Sequence, residues 1–130
     1  MIKSYPKDSD EALSKNFWLR EFHCRCRYPD CKVTLVDDRL IAGLQELRDM
    51  AGPIKINSAY RCKKHNLDVG GKKESYHLMG MAADVIYLMG STVKLSQFAK
   101  RVAIFIKGGI GIYFWGCHVD TRDKPTRWYG

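Results

Sequence analysis

No apolar run in this chain approaches the ~20 residues that span a bilayer, so a membrane-spanning helix is excluded. The opening stretch, MIKSYPKDSDEALSKNF, has an early lysine but no apolar block after it, which argues against an export signal. The expectation is synthesis in the cytoplasm, with delivery to any outer target left to another agent. Internal repeats and low-complexity segments are also missing, as are helix-turn-helix, RNA-recognition and zinc-finger patterns. Acidic residues are the scarcer charge, 14 against 22 lysines and arginines, giving a net charge of +8. Such an excess bears on association rather than fold. A nucleic acid, an anionic cell wall and a plain solvated surface all fit it. Without a base-reading motif we expect neither nucleic acid nor membrane as partner, and a monomer.

The 130 residues form one domain, large enough to bury roughly two-thirds of the surface of the unfolded chain. Residues 1–16 are polar, contain Pro6 and read as an extended arm. Phe17, Trp18, Leu19 and Phe22 are the first apolar cluster, followed by a cysteine-bearing loop to Cys31. A helix is predicted over 38–50, capped by Asp37 or Asp38, with Leu40, Leu44 and Leu47 on one face and Gly52-Pro53 ending it. Residues 54–60 alternate as a strand, 61–76 read as a polar loop, and 81–88 as a buried strand. A second helix is predicted over 91–107 and a third strand over 110–120, turning or bulging near Gly116. The tail to Gly130 is rich in arginine and aromatics. This order predicts an α+β fold, a small and mainly antiparallel sheet with flanking helices.

Five cysteines, Cys24, Cys26, Cys31, Cys62 and Cys117, make an odd count. Reduced thiols are the default where no export signal is present. The spacing Cys24-x-Cys26-x4-Cys31 is not the paired C-x2-C of familiar zinc modules. It reads first as buried thiols or a disulfide, with structural zinc as the alternative if Cys62 or Cys117 supplies a fourth ligand.

Chemistry concentrates in Ser75-Tyr76-His77-Leu78-Met79-Gly80-Met81-Ala82-Ala83-Asp84-Val85. A loop histidine turning back at Gly80 can meet Asp84 on the following strand, and small residues leave room around the pair. His118 lies on a later strand. Two imidazoles and a carboxylate are a recurrent catalytic zinc set that leaves one position open. On spacing alone, however, a histidine and aspartate seven apart are more often a hydrogen-bonded structural pair.

The motif series is more specific. Ser58-Ala59-Tyr60-Arg61, Asn66, Val69-Gly70-Gly71, Ser75-x-His77-x2-Gly80-x-Ala82-Ala83-Asp84, then Gly109-Ile110-Gly111-Ile112-Tyr113 and His118-Val119-Asp120 follow in order. Over residues 17 to 128 the chain resembles the zinc D-Ala-D-Ala carboxypeptidase family, nearest its small phage and bacterial wall peptidases. The resemblance implies the hedgehog/DD-peptidase fold. It also implies Zn2+ on His77, Asp84 and His118, and cleavage of peptidoglycan stem peptides or cross-links. It gives Arg61 a substrate-side role, where a guanidinium binds a carboxylate or steadies an oxyanion. A surface ion pair is the plainer reading of that arginine. Asn66 and Gly70-Gly71 shape the loop. Ser75 either bonds near His77 or stabilises a turn, and His23 and His65 lie outside the matched positions.

Many relatives carry Glu or Asp three residues before the last histidine, as general base. Trp115 stands there in this chain and cannot accept a proton. Asp120 is the first substitute, two residues after His118 and on the same strand face, able to activate water or to orient His118. Glu74 is the second. The leading expectation is a metallopeptidase of the cell wall, such as a phage endolysin. The alternative is a catalytically inactive, zinc-containing binding module of the same fold.

Overall fold

A computed structural model describes all residues from Met1 to Gly130. Five strands, β3 (Ile54–Ser58), β4 (Ala82–Tyr87), β5 (Gly109–Ile112), β6 (Cys117–Asp120) and β7 (Thr126–Tyr129), form one sheet in the order β3-β4-β6-β5-β7. All pairings are antiparallel except β5 with β7, which run parallel. A separate antiparallel pair joins β1 (Ile2–Pro6) to β2 (Val33–Asp37). The helices are α1 (Asp38–Ala51), α2 (Lys63–Asp68), α3 (Thr92–Ala99) and α4 (Ala103–Ile106). The α+β class and the mainly antiparallel sheet are those expected from the sequence.

Strand alternation divides the chain's work between the two faces of the sheet. Ile54, Ile56, Ala83, Val85, Ile110, Cys117 and Val119 point to one side and join the core. Against them pack Leu40, Leu44 and Leu47 of α1, Leu95 and Ala99 of α3, and Phe105 of α4. Each fully buried aliphatic or aromatic side chain contributes roughly 1.5–3 kcal/mol. The residues between them, Asp84, His118, Asp120, Gly109 and Gly111, fall on the opposite face. Asp84 is paired with His118, and His118 with Gly111, so the polar side chains are brought level by register alone.

Several elements depart from the sequence reading. The extended arm contains β1, and the stretch after the cysteine loop is the strand β2, whose last residue Asp37 caps α1 through Arg39 N–H (3.1 Å). The polar loop 61–76 holds α2 and leads into a 3-10 turn, Tyr76–Met79. The single helix expected over 91–107 is two helices. Val102 is extended at ψ 116°, and this re-aims Ile104 and Phe105 onto Gly43 of α1, where there is no room for even a methyl group. The strand expected over 110–120 is the hairpin β5–β6, in which Tyr113 N–H donates to Gly116 O (2.9 Å). The aromatic tail is β7.

Candidate metal centre

His77 sits in the 3-10 turn, just before the chain reverses. Gly80 makes the reversal at φ 73°, the left-handed region that favours glycine, and its N–H closes onto His77 O (3.3 Å). An added Cβ there would run into the Leu35 carbonyl, so the turn is pressed directly against β2. Asp84 comes from the middle of β4 and His118 from its neighbour β6. All three side chains are buried.

Their polar atoms converge. His77 Nε2 lies 3.2 Å and His118 Nδ1 3.1 Å from the same oxygen, Asp84 Oδ1. The far nitrogen of each ring is already committed. His77 Nδ1 is 2.6 Å from Ala59 O, an acceptor, so it must carry the proton. His118 Nε2 is 2.7 Å from Asp120 Oδ2, another acceptor. In neutral rings the inward nitrogens therefore offer lone pairs to a carboxylate oxygen, an arrangement that needs a positive charge at its centre. Protons can supply it. Burial pushes the His118 pKa down, but the Asp120 and Asp84 carboxylates raise it on balance. Burial likewise pushes Asp84 up, while hydrogen bonds from His118 and His77 hold it well below the usual carboxylate range. A divalent cation supplies the charge more directly. Tetrahedral ligands ~2.0–2.1 Å from zinc stand ~3.3 Å apart, close to the spacings here, and the donor set of two imidazoles and one carboxylate fits the metal.

The surroundings fix this geometry. Arg61, expected on the substrate side, donates from Nη2 to Asp84 Oδ2 (3.1 Å), from Nη1 to Asn66 Oδ1 (3.3 Å) and from Nε to Ser58 Oγ (3.2 Å). It thus holds the outer oxygen of Asp84 and keeps two further N–H groups. Asp120 is fully buried and saturated. Besides His118 it accepts from Gly109 N–H (2.9 Å), Arg122 N–H (3.1 Å), Arg122 Nε (2.9 Å) and Arg122 Nη2 (2.7 Å). It does not line the cleft, and its contact with His118 matches the orienting role among the two expected of it.

A cleft of about 660 Å3 opens over the three side chains, and its only carboxylates are Asp84 and Glu74. Trp115 lines it and stacks on Tyr113 with ring centroids 4.9 Å apart. Ser75 accepts from His77 N–H (3.2 Å), while His23 bonds Ser9 O and Thr34 well outside the cleft. His65 does not line it either. Two residues escaped the sequence reading. Arg122 lies between Tyr76 (4.3 Å) and Trp128 (5.1 Å), and Trp128 packs on His118 with centroids 5.0 Å apart. Asp120-x-Arg122, two positions apart at the end of a strand, was the one available signal for Arg122. Trp128 had none, since only the parallel return of β7 brings it back.

No curated protein matches this chain. The family model described as peptidase M15 matches residues 15–120, a span that contains the convergent histidines, Asp84, Arg61 and Asp120. With most of its length inside that match, the chain belongs to the peptidase M15 family.

Proposed function

We propose that the protein is a zinc peptidase acting on bacterial peptidoglycan, cutting stem peptides or cross-links as a carboxypeptidase or endopeptidase of the endolysin type. The observation that carries this reading is the convergence of His77 Nε2 and His118 Nδ1 on Asp84 Oδ1 while both outer nitrogens are held by acceptors. Zinc held by these residues would supply a Lewis acid for the scissile carbonyl and lower the pKa of water to about 7.

The protein's own groups do the rest. Ala59 and Asp120 fix the two ring orientations, and Arg61 keeps Asp84 turned inward. Arg61, with two N–H groups unused, and Arg122, whose Nη1 makes no bond within the protein, line a cleft together with Lys72. That array suits a peptide carrying carboxylates, as wall stem peptides do, and guanidinium pairs with carboxylate are strong and directional. The +8 charge favours approach to an anionic wall. Glu74, exposed and lining the cleft, would take the proton from water and return it to the leaving amine.

A second reading, a non-catalytic zinc-containing binding module, rests on Trp115 at the position where relatives carry the base. Digestion of purified peptidoglycan separates the two. Release of new amino or D-alanine termini by wild type, abolished in His77→Ala, is the expected result. Wall binding without release of termini would establish the binding module instead.

A further inference from the structure

A second group of ligands lies outside the cleft. Cys24, Cys26 and Cys31 come from the irregular segment before β2, and Cys62 caps α2. One sulfur from each lies within 4.8 Å of all the others. Cys24 Sγ and Cys26 Sγ are each 3.8 Å from Cys62 Sγ. A zinc–sulfur bond is about 2.3 Å, which puts the edge of a ZnS4 tetrahedron at about 3.8 Å. A disulfide needs ~2.05 Å between sulfurs. The four thiols are free and gathered around a centre instead of paired, and Cys117 is absent from the group because it faces the core from β6.

The donors around the sulfurs are those a thiolate cluster requires. Cys62 N–H points at Cys24 Sγ (3.3 Å), His65 N–H at Cys62 Sγ (3.5 Å), and the Lys7 ammonium at Cys26 Sγ (3.2 Å). Four thiolates and one Zn2+ carry a net charge of −2, and Lys7 offsets part of it. The segment around Cys24–Cys31 has no helix or strand of its own, so a metal cross-link gives it the fixed shape that a backbone ladder gives elsewhere.

We propose that Cys24, Cys26, Cys31 and Cys62 bind a structural zinc ion, distinct from the His77–Asp84–His118 centre. Four protein ligands close the coordination shell, so this ion takes no part in the reaction. Its effect on the cleft is positional. Cys62 directly follows Arg61, whose guanidinium holds Asp84, and Tyr60 N–H bonds Phe22 O (3.3 Å) just ahead of Cys24. The ion thus pins the connection between β3 and α2 to the N-terminal third of the chain.

The test uses the full chain, expressed with zinc and purified under reducing conditions. Metal analysis should find two zinc ions in wild type and one in His77→Ala/His118→Ala. Loading that variant with Co2+ should give the near-ultraviolet sulfur-to-cobalt absorption of a tetrathiolate site, and Cys26→Ser/Cys62→Ser should abolish it. Because that last variant risks misfolding, thiols are also counted in native wild type. Four should resist modification until a chelator removes zinc. A wild type with one zinc that disappears with the histidines, and no sulfur-to-cobalt absorption, would overturn the proposal. So would a mass short by four hydrogens in a parallel preparation made without reductant, which means two disulfides.

Discussion

Asp120 Oδ2 lies 2.7 Å from His118 Nε2, on the side of the ring away from Asp84. The contact fixes which nitrogen faces the cleft, and outer partners of this kind commonly tune affinity about 10–100-fold. Asp120→Asn should weaken zinc binding at the histidine centre by about that factor in a chelator competition. The pH dependence of kcat in zinc-saturated enzyme should not change. Loss of its acid limb would mean that Asp120 itself moves the proton.

Glu74 is the only cleft carboxylate besides Asp84. Glu74→Gln should lower kcat by about 10²–10⁴-fold with little change in KM, the range for loss of a general base. Zinc content should stay at the wild-type level, because the carboxylate is exposed and outside the convergent trio. Undiminished turnover would remove Glu74 from the mechanism.

Gly80 and Gly70 both adopt positive φ, 73° and 71°. Around Gly70 a methyl group meets nothing within 4 Å, whereas at Gly80 it meets the Leu35 carbonyl. Gly70→Ala should cost only the backbone penalty, roughly 1–2 kcal/mol. Gly80→Ala should cost distinctly more and displace His77, lowering both the urea midpoint and zinc affinity. Equal midpoints for the two variants would show that β2 yields to the added carbon.

Asp37 is buried where β2 meets α1. Burial pushes its pKa up, but the Arg39 guanidinium and amide and the Thr121 hydroxyl outweigh this and bring it to about 2. A carboxylate depressed in the folded state stabilises above its unfolded pKa of about 3.9 and loses that contribution as pH falls toward 2. In metal-free protein, Asp37→Asn should be less stable than wild type by about 2 kcal/mol at pH 6, with the difference closing between about pH 4 and pH 2. Asparagine still caps a helix, so α1 should persist by circular dichroism. A difference that stays constant with pH would place the effect outside the carboxylate charge.

The sequence carried the parts of the fold that local periodicity can encode. The leucine spacing marked α1 to within a residue, and β3 and β4 were visible as an alternating and a buried apolar run. The rest depended on partners distant in sequence. β1 and β2 are five residues each and gain meaning only from each other, while β7 is a strand only because β5 runs beside it. The break before Val102 answers to Gly43 on another helix, which periodicity within 91–107 could not reveal. At the site, His77, Asp84 and His118 stood out through the order of motifs, since a spacing of seven means little alone. Arg61's grip on Asp84 was unreadable because arginines reach several partners and sequence does not choose among them. The cysteines gave their count and spacing, but only the fold chose Cys62 over Cys117.

The division of the sheet into an apolar and a polar face makes the site depend on chain length as well as on its side chains. Cys117, His118, Val119 and Asp120 alternate between the core and the polar face of the sheet, and the short turn from β5 sets which goes where. One residue inserted in that turn, with pairing retained, would send both His118 and Asp120 into the helix-covered side and turn Cys117 and Val119 toward the cleft. Every chemical group would still be present, in the same order, in a protein whose histidine centre had lost one of its three ligands. The register of this hairpin is thus as much a part of the site as the side chains it carries.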